Sequence, residues 1–132
     1  MSPCLFVYGT LHPDHAPEEV ADLVRRFEGV GKGTVAGTLY DLGSYPGAVL
    51  DESSRRSIAG TVFRLPTGDD ILPRLDAYEG FEPEAPERSL FVRRLHPVRL
   101  ADGRELPCWI YEYNGELHRA AIIESGAYTP GD

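Results

Sequence analysis

"SLFVRRLHPVRL" (89–100) and "LPCWIYEYN" (106–114) flank "ADGR" (101–104). Two runs of strand-forming residues around an Asp-Gly turn read as a β-hairpin. Upstream, "FEPEAPE" (81–87) reads as loop, because two prolines forbid regular structure there. Before it, "GDDILPRLDAYEG" (68–80) reads as a helix with Ile71, Leu72, Leu75 and Tyr78 on one face. Pro73 fits if that helix starts near Asp69 or Asp70, since N–H groups of the first turn have no helical partner. "SIAGTVFRL" (57–65), the Tyr-Pro-Gly turn and short strand of "SYPGAVLDE" (44–52), and "GTVAGTLYDLG" (33–43) add three strands, two with interior glycines. "PEEVADLVRRFEG" (17–29) has Val20, Leu23, Val24 and Phe27 at helical spacing, and "CLFVYG" (4–9) is a short buried strand. A last short helix is expected over 116–125. The βαβ alternation of a doubly wound fold is absent after residue 30. The expectation is therefore an α+β fold: a small, mixed, mostly antiparallel β-barrel with two flanking helices, as a single domain over 1–132.

The totals narrow the function classes. The chain has 132 residues and a formal net charge of −8. That balance argues against nucleic acid and against anionic membrane surfaces, which need clustered positive charge. It is compatible with a small-molecule partner. No apolar run approaches the ~18 residues of a spanning helix. The start, "MSPCLFVYGTL", has no export signal pattern. Cys4 and Cys108 cannot make a disulfide framework, which points to a reducing, cytoplasmic setting.

Three stretches invite chemistry. In "YGTL" (8–11), Gly9 ends a buried strand; it either makes a plain turn or frees backbone N–H groups for a carboxylate or oxyanion. Glu79 closes the second helix beside Tyr78 and before Gly80. Partial negative charge gathers at a helix C-terminus, where cations are favoured. A carboxylate there is either a solvated side chain on a fraying end or a group whose pKa burial and the dipole raise toward neutrality, as suits a general base. "HPDH" (12–15) offers His12, Asp14 and His15, but no second cluster completes a zinc set, and a polar loop capping the next helix is the plainer reading. Both cysteines lie in apolar strands, and neither a phosphate loop nor a dinucleotide fingerprint occurs.

Taken in order, "LFVYGTL", "GTLYDLGSYPGAV", "GTVFRL" and "LDAYEGFE", with "CWIYEYNG" and "IESGAY" behind them, resemble the γ-glutamylcyclotransferase-like family. The AIG2-like and γ-glutamylamine cyclotransferase branch is the most similar, and the resemblance runs from residue 5 to about 128. It implies a small barrel with a central pocket. It also implies conversion of a γ-glutamyl amide into 5-oxoproline and a free amine, with no metal and no cofactor. The segment matching "YEG" places the catalytic glutamate on Glu79, and the loop matching "YGTL" assigns substrate-binding backbone to Tyr8, Gly9, Thr10 and Leu11. Tyr45, Phe91 and Tyr111 are the candidate aromatic walls, and each could equally be core. Many relatives of this branch have Tyr-x-Arg where this chain has Phe91-Val92-Arg93, so one hydroxyl is missing. Two other functions fit the same residues: a module that binds a small carboxylate or amine, and a hydrolase that delivers water with the same glutamate.

Overall fold

The computed structural model describes residues 3–9, 18–43, 45–68, 70–117 and 120–128. Seven strands and two α-helices follow in the order β1 (Cys4–Val7), α1 (Glu18–Val24), β2 (Glu28–Asp41), β3 (Pro46–Leu50), β4 (Ser57–Arg64), α2 (Ile71–Glu79), β5 (Phe91–Leu100), β6 (Glu105–Tyr113) and β7 (Ala121–Ile122).

The long strand β2 organises the barrel. Its first part pairs with β4, from Glu28↔Arg64 to Ala36↔Ser57, and its last part with β3, from Gly37↔Leu50 to Asp41↔Pro46. β3 and β4 lie on opposite edges of β2, and residues 51–56 carry the chain across from one edge to the other. On the same edge of β2 as β3, Gly33 and Thr34 pair with Leu100 and Arg99 of β5. The 91–113 hairpin keeps one register from Phe91↔Tyr113 to Arg99↔Glu105. β1 pairs antiparallel with β4 and parallel with β6, which closes the circuit β2–β4–β1–β6–β5–β2. The sheet is thus mixed: β6 is parallel to both β1 and β3, and every other pairing is antiparallel.

Period-two alternation sorts the side chains into two cores. Phe6, Val35, Leu39, Ile58, Val62, Val98, Cys108 and Ile110 fill the barrel. Leu5, Val7, Phe63 and Tyr111 point the other way and pack with Val20, Leu23 and Val24 of α1 and Ile71 and Leu75 of α2. β1 is buried on both faces, which is why "CLFV" is apolar without alternation. The barrel is narrow enough that Gly60 touches its neighbours: a Cβ there would lie 2.5 Å from the Val7 carbonyl oxygen and 2.7 Å from the Phe6 ring.

Three expectations need correction. The first helix covers seven residues and not 17–29; Arg25 to Phe27 form a tightened turn, and Gly29 already belongs to β2, which begins five residues earlier than expected. Tertiary pairing with β4 overrides helical spacing there. Pro17 lies outside the described residues. The expected loop 81–87 ends in a 3-10 turn, Pro86–Arg88. No helix occurs among the described residues of 116–125; instead Ala121 and Ile122 pair with Asp41 and Tyr40, and the Ile123 N–H donates to the Leu39 carbonyl at 2.8 Å. The free edge at the end of β2 takes the tail as a strand. Among the described residues no helix is long and apolar enough to cross a membrane.

Gly60→Ala should destabilise the protein by about 1–3 kcal/mol, because the methyl group meets backbone that cannot swing aside. A urea midpoint shift with unchanged m-value checks this; unaltered stability would mean that β1 and β4 are not packed this closely.

Candidate active site

The end of β1, the turn entering β3, the end of α2 and the start of β5 converge on a cavity of about 290 Å³. Tyr8, Gly9, Tyr45, Glu79, Phe91 and Tyr111 all line it, so six of the eight residues singled out in the sequence come together; Thr10 and Leu11 lie outside the described residues. Glu79 is the one charged side chain among the described lining residues.

The local chain explains how Glu79 is placed. Helix α2 stops at Gly80, which adopts the left-handed conformation (φ 71°, ψ 32°) that costs glycine nothing. The Phe81 N–H donates to the Asp76 carbonyl (2.8 Å) and the Gly80 N–H to that of Ala77 (3.3 Å). Two of the final carbonyls are therefore occupied, which blunts the dipole that faces Glu79. Burial pushes the Glu79 carboxyl from an ordinary 4.5 up to about 7. The side chain is only partly covered, yet the aromatic lining removes enough water to favour the neutral form.

Tyr8 serves the wall and the barrel at once. Its hydroxyl donates to the Tyr111 carbonyl and accepts the Ala48 N–H at 3.3 Å. Just beyond, β3 and β6 meet at Ala48↔Glu112. One phenol thus stands in for a missing piece of ladder between two strands. Burial first, and then the Glu79 carboxylate, raise its pKa far above the usual phenol value. Tyr45 and Tyr113 hold the Phe91 ring from two sides, at centroid distances of 5.9 and 5.4 Å.

The sequence reading missed one functional group of contacts. Asp76 is buried under the cavity wall, where the Arg93 Nε–H and Nη–H groups donate to its two oxygens at 2.8 and 3.1 Å and the Tyr111 hydroxyl donates at 2.7 Å. Its position in the row 72, 75, 76, 79 was the available signal: an acid on the seam of a helix asks for a partner. Pro46, Tyr78 and Leu90 also line the cavity and were not singled out. Cys108 is buried, and burial, then the nearby Cys4, push its thiol up to about 12, so it is no nucleophile at neutral pH. Among the described residues no cluster of three or more His, Cys, Asp or Glu could hold a metal; His12, Asp14 and His15 lie outside them.

The family model described as γ-glutamyl cyclotransferase, AIG2-like, matches residues 5–130, and the chain belongs to that family. Solved structures agree on the fold. The ytfP protein of Escherichia coli is 26% identical with a TM-score of 0.66, covering 95% of each chain. An AIG2-like protein from Mus musculus is 16% identical with a TM-score of 0.70, covering 99% of this chain and 97% of its own. YkqA from Bacillus subtilis superimposes with a TM-score of 0.70 at 22% identity; this chain spans 97% of itself but only 40% of YkqA. No protein of curated function matches the sequence.

Two outcomes follow from the geometry. Tyr8→Phe leaves the Ala48 N–H and the Tyr111 carbonyl without their shared partner, which should cost about 1–3 kcal/mol in thermal or urea unfolding. Glu79 binds its proton more tightly folded than unfolded, so its burial lowers stability as pH rises from about 4.5 through 7. Glu79→Gln should accordingly be more stable than the wild type at pH 8, by on the order of 1–3 kcal/mol, with the gap closing below the unfolded pKa.

Proposed function

We propose that the protein is a γ-glutamyl cyclotransferase whose substrate is a γ-glutamyl amide and whose general acid/base is Glu79. The observation that carries this reading is one carboxylate, its pKa raised by burial, in a cavity whose other described lining residues are uncharged. At about 290 Å³ the cavity lies at the small end of ligand sites, a size suited to a glutamyl unit.

The reaction asks little else of the protein. The substrate's α-ammonium must lose a proton before its nitrogen can attack the γ-carbonyl. Glu79 takes that proton; the new N–C bond closes a five-membered ring and the ring nitrogen sheds a second proton; the old C–N bond breaks, and the amine departs with both protons as an ammonium. Both reacting groups belong to one molecule, so holding the chain folded supplies much of the acceleration. Tyr45, Phe91 and Tyr111 form the walls that impose that fold. Backbone N–H groups of the segment from Tyr8 to Leu11 take the substrate carboxylate or the developing oxyanion. The work is done in a cytoplasmic, cofactor-free setting by a single domain.

Incubation with γ-glutamyl amines and γ-glutamyl amino acids should release 5-oxoproline. Free glutamate would make the protein a hydrolase, and binding without product would make it a binding module. Glu79→Gln should lower turnover by about 10²–10⁴-fold with the fold intact, because it keeps the shape and loses the base. The wild-type kcat/KM should fall as pH drops below about 7, as Glu79 takes up its proton. A Gln variant working at near wild-type rate would remove Glu79 from the role.

A further inference from the structure

Asp76 is the one buried ionisable carboxylate of the described core, and the proposed chemistry leaves it without a task. We propose that Asp76, Arg93 and Tyr111 form a brace that positions Glu79, in which Arg93 also cancels the Asp76 charge that would otherwise face the Glu79 carboxylate from one helical turn away.

The geometry supports each part. Residues three apart on a helix are surface neighbours, about 5–6 Å between Cβ atoms, so Asp76 and Glu79 share one side of α2. Asp76 is gripped from two strands: the flat fork of Arg93 on β5 meets both oxygens, and the Tyr111 hydroxyl on β6 meets one. Arg93 is itself fixed, with its guanidinium 4.4 Å from the Trp109 ring centroid and 5.8 Å from that of Phe81. The Tyr111 ring lines the same cavity as Glu79, so its far end locks the helix while its face touches the site. Register of α2 against the hairpin is thereby set within three residues of the base.

The charge argument is specific. Among the described residues the titratable groups that line the cavity with Glu79 are Tyr8 at the end of β1, Tyr45 before β3, Tyr78 on α2 and Tyr111 on β6. Asp22 of α1 is taken up by Arg74 at 3.0 and 3.2 Å. On the hairpin Arg94 and Glu112 pair with each other at 2.5 Å, and between α2 and β5 Asp76 and Arg93 do the same at 2.8 Å.

The brace rests on the reading of Glu79 as the base, but its test does not. The ¹³C shift of the Glu79 carboxyl reports the titration midpoint with or without turnover. Asp76→Asn leaves Arg93 uncompensated and should lower that midpoint by about half to one pH unit. The double variant Asp76→Asn/Arg93→Met removes both charges and should restore it. If the single variant does not fold, Tyr111→Phe, which keeps the ion pair but takes one donor from Asp76, should raise the midpoint and lower kcat more than it changes KM. Midpoints fixed at the wild-type value, or a double variant displaced as far as the single, would overturn the brace. A wild type that makes no 5-oxoproline while the midpoints move as stated would instead overturn the reading of the reaction.

Discussion

The contact between Asp76 and Arg93 joins the two halves of this molecule. On one side lies a helix of nine residues, too short to be stable by itself. On the other lies the barrel, closed by hydrogen bonds and presenting Leu5, Val7 and Phe63 on the face that the helices cover. Apolar contacts at Ile71 and Leu75 hold the helix down, but they are non-directional and would tolerate a slide or a roll. A bidentate pair tolerates neither. Removing one partner would strand a buried charge, which typically costs about 3–5 kcal/mol, so the arrangement is all or none.

The cavity exists because the barrel wall is incomplete at this end. β1 finishes at Val7, before β3 has reached β6, and a phenol fills the interval instead of a peptide group. A side chain takes less room along the strand direction than backbone would, and the space left over is what Glu79 and the aromatic rings enclose. Burial of the carboxylate and closure of the sheet are therefore two results of the same short strand.

Much of this could be read in the chain. The hairpin at 91–113 declared itself by composition and turn, and the second helix by its apolar stripe and glycine stop. Glu79 was legible because a carboxylate sits beside an apolar seam where a cation is favoured, and burial raises its proton affinity as that position suggests. What escaped was long-range. Nothing local in "RRFEG" reveals that β4 draws Glu28 and Gly29 into a strand, and nothing in "RAAIIE" reveals an open edge on β2. Asp76 and Arg93 stand 17 residues apart, each ordinary alone, and only the fold brings them to 2.8 Å. The resemblance to a known family implied the fold that the structure shows but was silent on that pair.

The detour of residues 51–56 has a consequence of its own. It carries the chain from one edge of β2 to the other, and both its ends are pinned to that strand: the Asp51 N–H donates to the Ala36 carbonyl and the Gly37 N–H to the Arg56 carbonyl, each at 3.1 Å. From Leu50 the strand runs about 13 Å back to Pro46 at the cavity. Lengthening a surface loop costs little, roughly 0.6 kcal/mol for each doubling. Extra chain inserted at the exposed tip between those two bonds would leave both edges of β2 paired and would lie apart from the residues that line the chamber beside Glu79.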